Sequence, residues 1–240
     1  MRLPTDAMNI IELNNLAYSW PGSSQACLEI EQFLLKRGEK LFISGASGSG
    51  KSTLLGLLAG ILTPSAGSLS ILQTPFGDLT SSARDKFRAD HIGYIFQQFN
   101  LIPYLSVIEN VLLPCHFSKQ RHAQIKPDPY TQASNLLQQL RLPKSCLNKP
   151  VTQLSIGQQQ RVAAARALIG NPELVIADEP TSALDSQSRN AFIQLLMEQC
   201  ERTGASLLFV SHDEQLQSHF DRHLALSTLN NVVQNPDEYL

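Results

Sequence analysis

Residues 40–62 read KLFISGASGSGKSTLLGLLAGIL, and the character of the chain changes twice within that stretch. A short, fully apolar run of strand type gives way to a segment of glycine and serine, and then to an apolar helical stretch. Gly45 to Thr53 match G-x-x-x-x-G-K-[ST] between that strand and that helix, which is the setting of a phosphate-cradling loop. Glycines let successive backbone N–H groups curl around phosphate oxygens, and the helix start adds its positive end. The candidate contacts are Gly45, Ser47, Gly48, Ser49, Gly50, Lys51, Ser52 and Thr53. Lys51 is expected to reach the β- and γ-phosphates, and the Ser52 hydroxyl is expected to serve Mg²⁺. The alternative is a glycine-rich turn with no ligand.

Outward from this loop the periodicity keeps changing. IIELNNLAYSW (10–20) and ACLEIEQFLL (26–35) alternate as half-buried antiparallel strands do, with PGSS as the turn between them. GSLSIL (67–72) and HIGYIF (91–96) are further strand candidates, and ELVIAD (173–178) and ASLLFVSH (205–212) are apolar enough for the centre of a parallel sheet. From Gln98 to Gln153 helix signals take over. SVIENVLLPCHF is apolar at helical spacing, DPYTQASNLLQQLRL opens with Asp128 as N-cap and Pro129 at the first helical position, and the polar SKQRHAQIKPD between them is expected to be a mobile loop. The reading is one α/β domain with a core over 8–97 and 154–228, a helical subdomain over 98–153 and a short tail over 229–240.

Composition narrows the partners. A formal charge of -2 over 240 residues is neither the basic stamp of a nucleic-acid binder nor the excess of a disordered acidic tail, so no nucleic acid is expected. Cys27, Cys115, Cys146 and Cys200 lie far apart without metal-ligand spacing and read as reduced thiols in a cytosolic protein. The opening MRLPTDAMNIIEL lacks the pattern of a secretory signal. The longest apolar run, LLGLLAGIL, is about half of the ~20 residues that cross a bilayer, so the chain is not expected to span a membrane.

A second chemical signal closes the strand LVIA with Asp178 and Glu179. A carboxylate at a strand's C-terminal end beside a phosphate loop is placed to hold Mg²⁺, and its neighbour to orient or deprotonate a water. Two acids in a solvated loop that caps the next helix are the alternative. GASGSGKST, Gln97 in YIFQQFNL, LSIGQQQR, LVIADEPTSALD and His212 in FVSHD also follow one another as they do in the ABC-type ATPases, which the whole chain resembles. The resemblance implies a RecA-like P-loop NTPase core with an antiparallel β subdomain and a helical insert, the ABC ATPase fold, acting on ATP with Mg²⁺.

The same resemblance implies roles for single residues. Gly45 to Thr53 stand for the Walker A loop, Asp178 for the Walker B carboxylate that joins Ser52 and Gln97 around the metal, and Glu179 for the catalytic glutamate. Gln97 stands for the Q-loop glutamine, Ser182 to Asp185 for the D-loop and His212 for the switch histidine at the γ-phosphate. Trp20 falls where an aromatic ring stacks on adenine; with Tyr18 two residues away, packing as a core or edge-strand aromatic is the alternative. His212 alone would suit a helix cap, and Gln98 is an alternative to Gln97.

In this family two ATPase subunits close head to tail over two ATP, each signature facing the other subunit's γ-phosphate. Ser155, Gly157 and Gln158 would supply that face through a hydroxyl, a backbone N–H and a helix start. Ile156 stands where a second glycine is usual, so the backbone there is expected at negative φ with the side chain turned away. The resemblance further implies a second copy of the subunit and a separate integral membrane permease, on the cytoplasmic face of the membrane. FNLIPYLSVIENVLLP is similar to the lipoprotein-release, macrolide-export and cell-division branch. Within that branch the alternative is force transmission to an extracytoplasmic partner. A DNA-repair relative would need a long coiled coil between Walker A and the signature, where no sustained heptads occur.

Overall fold

Two sheets, one antiparallel and one parallel, face each other across an apolar layer. The computed structural model describes residues 9–23 and 25–232. The expected start of the core at residue 8, Ser24 of the turn and residues 233–240 of the tail lie outside them.

The antiparallel sheet runs in the order β2 (Leu28–Lys36), β1 (Asn9–Tyr18), β4 (Ala66–Ile71) and β5 (Thr74–Pro75). Alternation in β1 slips at the exposed Asn14 and Asn15, where its register against β4 shifts and Asn15 takes φ 46°. The parallel sheet has the order β6 (Ile92–Ile95), β7 (Leu174–Asp178), β8 (Ser206–Ser211), β3 (Lys40–Ser44) and β9 (Arg222–Ala225). Its central strands are apolar throughout because both faces are covered. Leu41, Ile43, Leu174, Ile176, Leu208 and Val210 face one cluster, shared with the antiparallel sheet and α1 (Lys51–Leu58). Phe42, Val175, Ala177, Leu207 and Phe209 face the other, shared with α3 (Val107–Phe117), α5 (Pro129–Gln139), α6 (Ile156–Leu168) and α7 (Ser186–Thr203).

The helical stretch starts as its sequence dictates. Ser106 and Glu109 form a reciprocal capping box on α3, and Asp128 accepts from the Thr131 N–H with Pro129 opening α5. The segment expected as a mobile loop instead contains α4 (Lys119–Ala123), capped by Ser118 and anchored by Arg121. That guanidinium is 1% exposed and donates to the carbonyls of Ala167 and Ile169, both 3.3 Å away, where α6 runs out of internal partners. Burial pushes its pKa down to about 10, which leaves it charged at neutral pH. One helix has no counterpart in the periodicity: α2 (Ser81–His91) buries none of its residues, so it carries no apolar stripe to read.

Close approach of α6 to β6 depends on Gly93. A Cβ there would lie 2.2 Å from the Ala167 carbonyl oxygen, which is backbone and has no rotamer to yield. Gly93→Ala is therefore expected to destabilise the protein by roughly 1–3 kcal/mol, as overpacking does, read as a lower urea midpoint at unchanged slope.

Candidate nucleotide site

Sheet register brings the candidate residues together. Ser44 pairs with Ser211, Asp178 with Val210, and Ile95 with Ala177, so the chains leaving β3, β6, β7 and β8 all emerge at the carboxyl edge of one sheet. That edge is where ligands bind in open α/β sheets. The chain leaving β3 turns through Gly48 (φ 81°) and Gly50 (φ 96°), left-handed positions that side chains rarely tolerate. Helix α1 then starts with no side-chain cap and no acid in its first turn, leaving its positive end toward the cavity. Lys51 Nζ donates to the carbonyls of Gly45 (2.7 Å) and Ala46 (2.8 Å) and lies 3.9 Å from Glu179 Oε1.

Glu179 holds the centre of the edge. Its φ is 45°, uncommon for a residue with a side chain, and its N–H bonds the Val210 carbonyl at 2.9 Å, which fixes the strained turn to β8. The buried carboxylate accepts from His212 Nδ1–H at 2.7 Å and from the Ser211 hydroxyl at 3.4 Å. The Asp178 carboxyl next to it titrates above its ordinary range, first because it is buried and then because Glu179 is near, against the opposing pull of Lys51.

Trp20, Ser47, Gly48, Gly50, Lys51, Ser52, Thr53, Gln97, Asp178, Glu179 and His212 line one cavity of about 640 Å³. Gly45 and Ser49 belong to the same loop behind that lining, with Ser49 Oγ buried and lacking a hydrogen-bond partner. The Trp20 ring stands edge-on to Tyr18, centroids 5.2 Å apart, and is half exposed. The Ser52 hydroxyl, the Asp178 carboxylate and the Gln97 amide oxygen are hard oxygen donors among the residues that line this cavity, a donor set whose chemistry suits Mg²⁺.

Ser155, Gly157, Gln158 and Asp185 do not line this cavity. Ser155 Oγ accepts from the Gln158 N–H (3.4 Å) while Gln158 Oε1 accepts from the Ser155 N–H (3.0 Å), a capping box that opens α6. Ile156 is the first residue of that helix, outside the left-handed residues, with its side chain 54% exposed. A Cβ on Gly157 would meet only Leu184, at 3.8 Å. Asp185 caps α7 through the Ser188 N–H at 2.9 Å, and that bond holds its carboxyl below the ordinary range.

Three contributors escape sequence reasoning. Cys27 lines the cavity, 3.5 Å from Thr53 Oγ1. Gln160, buried in α6, donates to the Pro180 carbonyl at 2.7 Å beside the two acids. Arg166 forks onto the carbonyls of Asn100 (2.6 Å) and Phe99 (2.5 Å), both left-handed, and so fixes the backbone just after Gln97. Only the QQQR run hinted at any of them.

Comparison with known proteins gives the family. Residues 28–182 match the family model described as ABC transporter. The chain is 42% identical over 223 residues to an uncharacterized ABC transporter ATP-binding protein, YbbA, of Escherichia coli K12, covering 92% of this chain and 95% of that one. It is 40% identical over 206 residues to another, MJ0796 of Methanocaldococcus jannaschii, covering 85% and 87%. The dimeric structure of MJ0796 in a post-hydrolysis state, bound to ADP and Pi, superposes with a TM-score of 0.80 at 37% identity over 90% of this chain and 93% of that one. A phosphate loop, paired carboxylates and a histidine on one sheet edge, in a chain this similar to such proteins, make it a member of the ABC transporter ATP-binding family.

Proposed function

We propose that the protein is the ATP-hydrolysing subunit of an ABC transporter of the exporter or lipoprotein-release type, working at the cytoplasmic face of the membrane as a pair closed over two ATP. One observation carries this reading: Glu179 sits at the carboxyl edge between Lys51 and His212, facing the cavity that Trp20 and the phosphate loop share. A purely nucleotide-binding switch would need no carboxylate oriented there.

Adenine stacks on Trp20 and the phosphates enter the loop 45–50. The first N–H groups of α1 receive them, and the ammonium of Lys51 turns from Gly45 and Ala46 to the β- and γ-phosphates. Ser52, Asp178 and Gln97 would hold Mg²⁺, which would supply neutralisation of phosphate charge. Glu179, fixed by His212, aligns a water for in-line attack and takes its proton. His212 is exposed enough to turn toward the γ-phosphate. Phosphoryl transfer needs little covalent help, so positioning and charge supply most of the rate.

Ser155, Gly157 and Gln158 come from the second copy. They open a helix whose first turn carries no acid and whose flank at Gly157 is open, so another molecule's phosphate can approach the backbone. The related MJ0796 cassette, solved as a dimer, supports the same arrangement here.

The permease docks on the opposite side of Arg166. A largely apolar groove of about 540 Å³ lies there, lined by Tyr94, Phe96, Asn100, Leu113, Pro114 and Phe117, and Phe117 is 74% exposed. No helix among the described residues is long and apolar enough to cross a membrane, so such a partner would supply the spans. Asn100 lies both in this groove and under the Arg166 fork, which joins the docking face to Gln97.

Glu179→Gln is expected to bind ATP, to form a longer-lived dimer on size exclusion, and to release phosphate roughly 10²–10⁴-fold more slowly. Hydrolysis at the parent rate would remove Glu179 from its role. Asp178→Asn should lose hydrolysis yet raise the melting temperature of the nucleotide-free protein near neutral pH. A carboxyl whose native pKa is raised destabilises the native state when ionised, and this loss develops as pH rises from the ordinary 3.8 through the native value. Thermal unfolding across that range should therefore be flatter for Asp178→Asn than for the parent. Phe117→Ser should leave the ATPase rate of the isolated subunit unchanged while abolishing recovery of an integral membrane protein with it from mild detergent.

A further inference from the structure

The cavity is shared between the two sheets, since loop 45–50 follows β3 of the parallel sheet whereas Trp20 and Cys27 lie between β1 and β2 of the antiparallel one. The last described residues tie these halves together. Leu226 of α8 (Leu226–Leu229) is fully buried and packs beside Gly45, where a Cβ would lie 3.4 Å from its own. Just beyond α8, Asn230 is buried although its side chain is a carboxamide. Its Oδ1 accepts from the Glu29 N–H at 2.9 Å and from the Val232 N–H at 3.2 Å, and its Nδ2 donates to the Cys27 carbonyl at 3.2 Å. The Asn231 N–H adds a bond to the Glu29 carbonyl at 2.8 Å. β2 is an edge strand, and the Asn230 amide meets it as a neighbouring strand's peptide would, giving one donor and one acceptor to residues two apart.

Cys27 passes this restraint to the cavity. Its N–H bonds the Tyr18 carbonyl at 2.7 Å, closing the loop that carries Trp20, and its Sγ lies 3.5 Å from Thr53 Oγ1 in α1. The Trp20 ring leans on Tyr18 at the other end of the same closure.

We infer that Asn230 is a positioning residue for the base-binding edge of the nucleotide cavity, holding the Trp20–Cys27 loop at a fixed distance from the phosphate loop. The inference rests on Trp20 being the ring that stacks on the base. It separates two parts of one ligand: the phosphates meet the loop and α1 directly, whereas the base meets a platform whose place depends on Asn230.

Asn230→Asp keeps the acceptor for Glu29 and removes the donor to Cys27. In the full chain this variant is expected to keep native circular dichroism, to bind ATP about tenfold more weakly by calorimetry, and to bind inorganic tripolyphosphate within about twofold of the parent. Trp20, the one tryptophan, should become more accessible to acrylamide quenching in the same variant. Asn230→Ser, which adds no charge, should give the same split. Trp20→Ala is the control and should also weaken ATP and spare tripolyphosphate. If Trp20→Ala left ATP binding intact, the stacking reading would fall and this inference with it. If Trp20→Ala weakened ATP binding and neither Asn230 variant did, only the role of Asn230 would fall. Equal loss of both ligands, or two Asn230 variants that no longer fold, would make the residue a general structural one and overturn the inference.

Discussion

Backbone pairing in the parallel sheet is the constraint on which the site depends. Four loops carry the chemistry, and none of them fixes another directly as well as the ladder beneath them does. Ser44 opposite Ser211, Asp178 opposite Val210 and Ile95 opposite Ala177 set the height at which each loop leaves the sheet. Side chains alternate with period two, so a slip of one residue in β3 would send Phe42 into the cluster of Leu41 and Ile43, and those two into the other. Both faces are buried and differently shaped, so neither exchange is tolerated. The position of Glu179 relative to Lys51 is therefore a consequence of packing on both sides of β7, far more than of the 3.9 Å ion pair between them.

Helix α6 carries that order outward. Its C-terminal end rests on Gly93 of β6 and on the buried guanidinium of Arg121, its last turn grips the chain after Gln97 through Arg166, and its first turns reach Pro180 through Gln160. Each of these polar side chains meets a main-chain carbonyl that a helix end or irregular loop leaves over, which is how buried donors are normally satisfied. The helix is thus hydrogen-bonded both to the chain after Gln97 and to the turn after Asp178.

What was legible in the sequence was what depends on neighbours in the sequence. The phosphate loop needs glycines, a lysine and a hydroxyl in order between a strand and a helix, and the Asp128 cap needs a partner three residues on; such constraints leave a local pattern. Arg121 left none, because its carbonyl partners belong to Ala167 and Ile169, and a polar pentapeptide with a distant partner looks like solvated loop. Asn230 reads as tail for the same reason, its strand partners being Cys27 and Glu29. The α2 helix is silent because amphipathic periodicity records burial, and none of its residues is fully buried.

Ile156 shows how such a local pattern can mislead. A glycine there would add to the conformational entropy lost on folding, and glycine inside a helix costs about 1 kcal/mol relative to alanine. Isoleucine at the first position of α6 avoids that cost: its φ is ordinary, its side chain points to solvent, and the hydroxyl and amide of the capping box beside it are undisturbed. Gly157 bears the same cost with nothing in its own chain to require it, since a side chain there would make one ordinary contact, with Leu184. The open flank that Gly157 leaves is room for a group from outside the chain. Under the proposed pairing this is the γ-phosphate on the second subunit, and the difference between positions 156 and 157 marks which face of the turn it approaches.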